Sequence, residues 1–141
     1  MRLDISMEEL FPVPIDRVWH ALTDPGMIER WLMRPDGYEA KVGARFTLRE
    51  TPRADCRGQV ECEVLELAPP HRIVWSWRGA EDPATTRLVI DLEADERGTR
   101  LTLRHTGESD ERTVRGTTGG WTDKLRALTE LLITKGGNGN D

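Results

Sequence analysis

The chain has 141 residues, which is the length of one domain and enough to bury a sizeable core. Hydrophobic residues make up 37% and charged residues 32%, a balance that excludes a membrane protein, and no run approaches the ~18 apolar residues a transmembrane helix needs. The net charge of −5 argues against a general polyanion binder, nucleic acid included.

Met1-Arg2-Leu3-Asp4 lacks the basic patch and apolar stretch of a secretory signal, so a cytoplasmic location is expected. Residues 3–11 alternate, with Leu3, Ile5 and Met7 on one side, and read as a strand. Pro12 and Pro14 end it. Ile15, Val18, Trp19 and Leu22 then fall at i, i+3, i+4 and i+7, a short amphipathic helix with Asp16 near its positive end. Asp24-Pro25 stops it and starts a second helix, with Asp24 as N-cap and Met27, Ile28 and Trp31 as its apolar stripe.

From Gly37 the period changes to two. Tyr38, Ala40 and Val42 alternate weakly, Gly43 marks a turn, and Phe46 and Leu48 face away from Arg45, Thr47 and Arg49. The stretch from Thr51 to Arg57 reads as a hairpin loop. Val60, Cys62 and Val64 alternate with Glu61 and Glu63, and the phase slips at Val64-Leu65, which predicts a β-bulge. In extended chain Cys56 and Cys62 stand about 20 Å apart, too far for a disulfide. Both are expected as free thiols, consistent with a reducing compartment.

Pro69-Pro70 turns the chain into a strand with Ile73, Trp75 and Trp77 on one face. After a loop over 79–83, Leu88, Ile90 and Leu92 alternate. Glu96-Arg97-Gly98 turns into a last strand carrying Leu101, Leu103 and His105 on one face. Trp121, Leu125, Leu128 and Leu132, at i, i+4, i+7 and i+11, predict a long C-terminal helix with one buried face. Gly116-Thr117-Thr118-Gly119-Gly120 reads as a mobile loop leading into that helix, a gate for any cavity beneath it. The last residues, 136–141, read as a C-cap and a disordered tail. The whole is one α+β domain over 1–135: a strand, two short helices, about six antiparallel strands and a long helix.

This order resembles the helix-grip fold of the START-like, birch-pollen-allergen-like (SRPBCC) superfamily. More narrowly, it resembles the bacterial single-domain homologues of the activator of the heat-shock-protein-90 ATPase. The residues that carry the resemblance are Pro14 through Pro25 with Ile28-Glu29-Arg30-Trp31, then Val42-Gly43-Ala44-Arg45-Phe46. Gly58-Gln59-Val60 through Pro69 to Trp77 and Leu101 through Gly107 continue it, followed by Gly120-Trp121 and the leucine stripe. No single motif is specific, but together they span nearly the whole chain in order. The resemblance implies a seven-stranded antiparallel sheet gripping the last helix and an elongated, mostly apolar cavity between them. Relatives of the fold bind lipids, plant hormones and polyketides, and some cyclise polyketides. The eukaryotic activators carry an additional N-terminal domain that helps grip the chaperone, for which this sequence has no room.

The candidate ligand-binding residues follow from the inward faces: Trp31, Phe46, Trp75, Trp77, His105, Trp121 and Leu125. Any one tryptophan is accounted for by core packing. As a group they read as aromatic cavity walls, because an indole N–H needs a partner and indole is poor generic filler. His105 reads either as a polar anchor or proton donor, near its unperturbed pKa of ~6.5, or as a hydrogen-bonded core histidine.

Asp16, His20 and Asp24 have helical spacing for a metal, yet a solvated helix face explains them, and no metal or cofactor is expected. No nucleophile elbow surrounds Ser6, Ser76 or Ser109. Arg45, Arg49, Arg53 and Arg57 crowd one hairpin, where Glu61 and Glu63 are expected to offset the first two.

The function expected is non-catalytic binding of a small hydrophobic or amphipathic molecule. The alternatives are a chaperone or stress-response interaction module, which would expose an apolar patch, and a cyclase- or hydrolase-like enzyme, which needs an acid–base group in the cavity. A homodimer is common for such domains.

Overall fold

A computed structural model describes residues 2–50, 58–79, 84–108 and 111–138, with the side chains of 111–119 and 134–138 excepted. Seven strands form one antiparallel sheet: β1 (Arg2–Phe11), β2 (Arg34–Asp36), β3 (Arg45–Arg49), β4 (Gln59–Ala68), β5 (Arg72–Gly79), β6 (Thr86–Asp95) and β7 (Gly98–Glu108). Helices α1 (Ile15–Thr23) and α2 (Pro25–Trp31) lie between β1 and β2, and α3 (Glu111–Asn138) follows β7. The strand order is β1-β7-β6-β5-β4-β3-β2. The chain therefore runs through the sheet as a meander from β2 to β7, and β1 closes onto β7. This is the α+β helix-grip architecture expected, a curved sheet with its inner face against α3.

Alternation sets the inner face. Leu3, Ile5, Phe46, Leu48, Val60, Ile73, Trp75, Trp77, Leu88, Ile90, Leu101, Leu103 and His105 are all buried there. Trp121, Leu125, Leu128 and Leu132 form the buried stripe of α3 that meets them. The phase slip is real: the β4–β5 register shifts between Val64 and Glu66, Leu65 turns outward, and Leu67 returns to pack against the core.

The helical joint is fixed by capping. Asp24 accepts from the Met27 backbone N–H at 3.0 Å, and Pro25 follows in the first turn of α2. At the start of β7, the buried Thr99 hydroxyl donates to the Val13 carbonyl at 2.8 Å. The β6–β7 turn thus holds the chain where β1 passes into α1. Gly98 in that turn has φ +142°, and a Cβ there would fall 2.0 Å from the Phe11 carbonyl oxygen, so only glycine permits the approach.

Three expectations are corrected. The edge strand is Arg34–Asp36, not the weak alternation of Tyr38, Ala40 and Val42, which lies in the connection to β3. The register Pro35↔Leu48 makes β2 the sheet edge, where a proline costs no ladder bond. Residues 116–120 are not a loop, because α3 runs unbroken from Glu111. Each added helical residue contributes a backbone hydrogen bond once the turn beyond it exists, and the packed stripe from Trp121 supplies that turn. The helix also continues to Asn138, past the cap expected at Gly136. The hairpin loop over 51–57, with Cys56, and most of the loop over 79–83 lie outside the described residues.

Candidate functional site

The predicted aromatic residues converge from four elements, and the structure sorts most of them into two neighbouring clusters. Trp75 and Trp77 sit two residues apart on β5, so both face inward about 7 Å from one another along the strand. Trp77 joins one cluster with His105 of β7 and Trp121 of α3. Its ring lies 5.2 Å from the imidazole and 5.3 Å from the Trp121 indole, centroid to centroid. Trp75 joins the other, with Phe46 at 4.9 Å and Tyr38 at 6.0 Å. Leu125 stands one helical turn after Trp121 and is buried in the same core.

In the first cluster the Trp121 indole, His105 and Thr86 are joined in one chain of hydrogen bonds. The Trp121 Nε1–H donates to His105 Nδ1 at 2.9 Å. An indole can only donate, so Nδ1 must accept and the ring proton resides on Nε2. His105 Nε2 lies 2.7 Å from Thr86 Oγ1, and Thr86 Oγ1 donates to the Trp77 carbonyl at 2.9 Å. The direction is therefore unique: Trp121 to His105, His105 to Thr86, Thr86 to the backbone of β5. The imidazole is completely buried, and that burial lowers its pKa to about 3. His105 is a neutral imidazole of fixed tautomer with both nitrogens engaged inside the protein. Gly107 makes room for this arrangement. Its φ is +143°, and a Cβ there would stand 2.9–3.0 Å from Thr86 Cγ2, Cβ and Cα.

The second cluster contains Tyr38, which the sequence pattern did not single out. It follows Gly37, whose φ of +86° turns the chain back after β2. The Tyr38 ring stands edge-on to Phe46 at 5.0 Å with an interplanar angle of 89°, and Phe46 is edge-on to Trp75 at 78°. Here the polar atoms are not satisfied. The Tyr38 hydroxyl and the Trp75 indole N–H are buried without a hydrogen-bond partner, the only two such side-chain atoms among the described residues. Burial pushes the Tyr38 hydroxyl up to about 12, so it remains a phenol at physiological pH. The one signal for Tyr38 in the sequence is that it is the sole tyrosine of the chain.

Trp31 is set apart from both clusters. Its Nε1–H donates to the Ala21 carbonyl at 2.8 Å and braces α2 against α1. It also lines an open cleft of about 680 Å³ between α2, the end of β3 and α3, together with Met33, Arg49 and Ala127. Lys124 of α3 and Glu50 at the end of β3 both line this cleft and meet in a 2.7 Å ion pair, each only 18% exposed.

The other candidates fall on the surface or in the core. Arg45 pairs with Glu63 as expected, but Arg49 meets Asp36 and Gln59, and Glu61 meets Arg78. Cys62 is a buried free thiol whose ionisation is pushed up by burial, which makes it a poor nucleophile. Among the described residues no group of three metal-ligating side chains occurs, and no helix is long and apolar enough to cross a membrane.

A family model described as "Activator of Hsp90 ATPase homolog 1-like protein" matches residues 12–133, from just before α1 to just past the buried stripe of α3. The chain belongs to this family. Solved structures agree with the assignment. Protein MLL2253 of Mesorhizobium loti is 28% identical with a TM-score of 0.79, covering 93% of this chain and 97% of its own. CalU16 of Micromonospora echinospora is also 28% identical, with a TM-score of 0.74 over 89% of this chain and 73% of its own. CV1439 of Chromobacterium violaceum is 25% identical, with a TM-score of 0.78 over 92% and 96%. No curated protein matches the sequence. Both aromatic clusters fall inside the matched span, so the activator-like domain itself carries the candidate site.

Proposed function

We propose that this activator-like domain binds a small hydrophobic or amphipathic molecule between the sheet and α3, without catalysing its conversion. The observation that carries the reading is the aromatic seam of Phe46, Trp75, Trp77 and Trp121, contributed by β3, β5 and α3 and facing one interior. Each indole or phenyl surface moved from water onto a ligand contributes roughly 25 cal/mol per Å² of apolar area. The cleft beside Trp31 has the size of a small-molecule site, and in this reading it is the entrance. In this reading the Lys124–Glu50 pair parts as α3 shifts away from the end of β3.

The candidates differ in their roles. Trp77, Trp121 and Leu125 form one wall and Phe46 and Trp75 the other, while Trp31 stands at the mouth. His105 acts by holding Trp121 in place, since both its nitrogens are spent on protein partners. The same bonding weakens a cyclase- or hydrolase-like reading, because the best acid–base candidate is neutral and engaged. An interaction module would show a continuous apolar patch. The exposed large hydrophobic residues described are Val42, Leu65 and Ile133, on the β2–β3 connection, β4 and α3.

The test is mass spectrometry of small molecules released from the purified protein on denaturation, with tryptophan fluorescence titrations using palmitate and flavone. A retained compound or saturable quenching at micromolar ligand is expected. Neither a retained compound nor quenching by either probe would overturn the reading in favour of an interaction module.

A further inference from the structure

The two unpartnered atoms of the second cluster bear on what kind of molecule the interior accepts. Tyr38 is 8% exposed and Trp75 2% exposed, and the edge-on packing with Phe46 fixes both rings. A buried hydrogen-bonding group without a partner destabilises the protein that carries it. Phenylalanine at either position would offer a similar ring without that cost, yet the chain places a tyrosine and a tryptophan in one cluster, their ring centroids 6.0 Å apart. The neighbouring Trp77–His105–Trp121 cluster shows the contrast, with each described polar atom of His105, Thr86 and the Trp121 indole given a partner.

The chemistry of the missing partner is constrained. An indole N–H only donates, so Trp75 requires an acceptor, and a phenol that stays protonated serves as a donor as well. The acceptor must also suit the charge of its surroundings. Among the described residues the buried polar side chains are Thr86, Thr99 and His105, and no lysine or arginine is buried. An anion would therefore enter without a counter-charge to offset its lost hydration. A neutral carbonyl oxygen meets both requirements, and the flanking rings favour a planar apolar body around it.

We propose that Tyr38 and Trp75 form the polar end of the interior site, where the hydroxyl and the indole N–H donate to oxygen of a neutral aromatic carbonyl compound. The assignment rests on the interior-ligand reading and narrows it to a ligand class. It separates Tyr38 and Trp75, which face the ligand, from His105, which does not.

The experiment uses a matched set of probes on the full chain: 9-fluorenone, fluorene, which lacks the carbonyl, and fluorene-9-carboxylate, which is charged. Benzophenone and diphenylmethane repeat the first comparison on a flexible frame. Binding is read by tryptophan fluorescence and by the indole N–H resonances in ¹⁵N-labelled protein. Fluorenone is expected to bind at least about fivefold tighter than fluorene, the worth of one or two net hydrogen bonds. The carboxylate is expected to bind weakest. The Trp75 indole resonance should move downfield with the ketones and not with the hydrocarbons. Tyr38→Phe should remove a few-fold of the affinity for fluorenone and leave that for fluorene unchanged.

Equal binding of ketone and hydrocarbon, with the Trp75 resonance unmoved, overturns the assignment while sustaining the interior site. Tightest binding by the carboxylate overturns the neutral class. Failure of all five probes while palmitate still quenches overturns the assignment alone, and failure of the five together with palmitate and flavone, with no retained compound, overturns the interior reading itself. The resonance shift is measured on the unaltered protein, so the outcome stands even if Trp75→Phe or Tyr38→Phe folds poorly.

Discussion

The two aromatic clusters share one sheet face and one strand, yet they resolve their polar atoms in opposite ways. Around His105 three donors find acceptors in a single directed chain, from the α3 indole through the imidazole and Thr86 to the β5 backbone. Around Trp75 the rings pack as tightly, but the Tyr38 hydroxyl and the indole N–H are left over. A satisfied buried network rigidifies and holds elements together, here α3 against β5, β6 and β7. An unsatisfied pair lowers the stability of the free protein in exchange for a contact it can make with something else. Tryptophan and histidine on one inner sheet face thus do not all play the same part.

The largest expected effect breaks the His105 cluster. Gly107→Ala should cost about 3 kcal/mol, because it combines a positive φ with a Cβ driven against Thr86. Urea unfolding measures the loss, and the Trp121 indole resonance should move as Thr86 is displaced from His105. An unchanged midpoint would mean that the strand adjusts freely there.

A smaller effect follows from the neutral imidazole. The folded pKa of His105 lies far below the ~6.5 of the unfolded chain, so on acidification the unfolded state binds a proton the folded state refuses. Its contribution to stability is complete above pH 6.5 and is lost as pH falls from there toward 3. The slope should approach about 1.4 kcal/mol per pH unit between pH 6 and 5, where few carboxylates titrate. Urea midpoints that stay level across this window would show that His105 accepts a proton within the fold.

The smallest effect sharpens the contrast by its sign. Tyr38→Phe removes an unpaired hydroxyl and keeps the ring, so the free protein should gain up to about 1 kcal/mol, visible as a Tm raised by a few degrees. A comparable loss instead would show that the hydroxyl has a partner in the free protein. Stabilisation here, beside destabilisation at Gly107, would separate the residues that hold the fold from those that await a ligand.

Much of this frame is legible in the residues. Period-two alternation gives the inward face of β3, β4, β5, β6 and β7, and the slip at Val64-Leu65 gives the bulge. The spacing of Trp121, Leu125, Leu128 and Leu132 gives the buried stripe of α3, and Asp24-Pro25 gives the joint between α1 and α2. What escapes is short or cooperative. A three-residue edge strand such as Arg34–Asp36 has no period to read and exists because β3 offers it a ladder. The start of α3 at Glu111 crosses Gly116, Gly119 and Gly120, whose individual helix propensities argue against it. Tyr38 is buried although its segment forms no strand, because the turn at Gly37 carries it onto Phe46.

By itself the sequence determined the faces: which side chains point inward depends only on the local period of the backbone, so His105, Trp75, Trp77 and Trp121 could be placed together before any fold was known. The tertiary structure alone decided which polar atoms find partners. The acceptor for the Trp121 indole lies 16 residues away in another element, and the partner of His105 lies 19 residues away on another strand. Such bonds depend on ångström-scale separations between elements, which no local pattern encodes. The same separations leave Tyr38 and Trp75 unpaired.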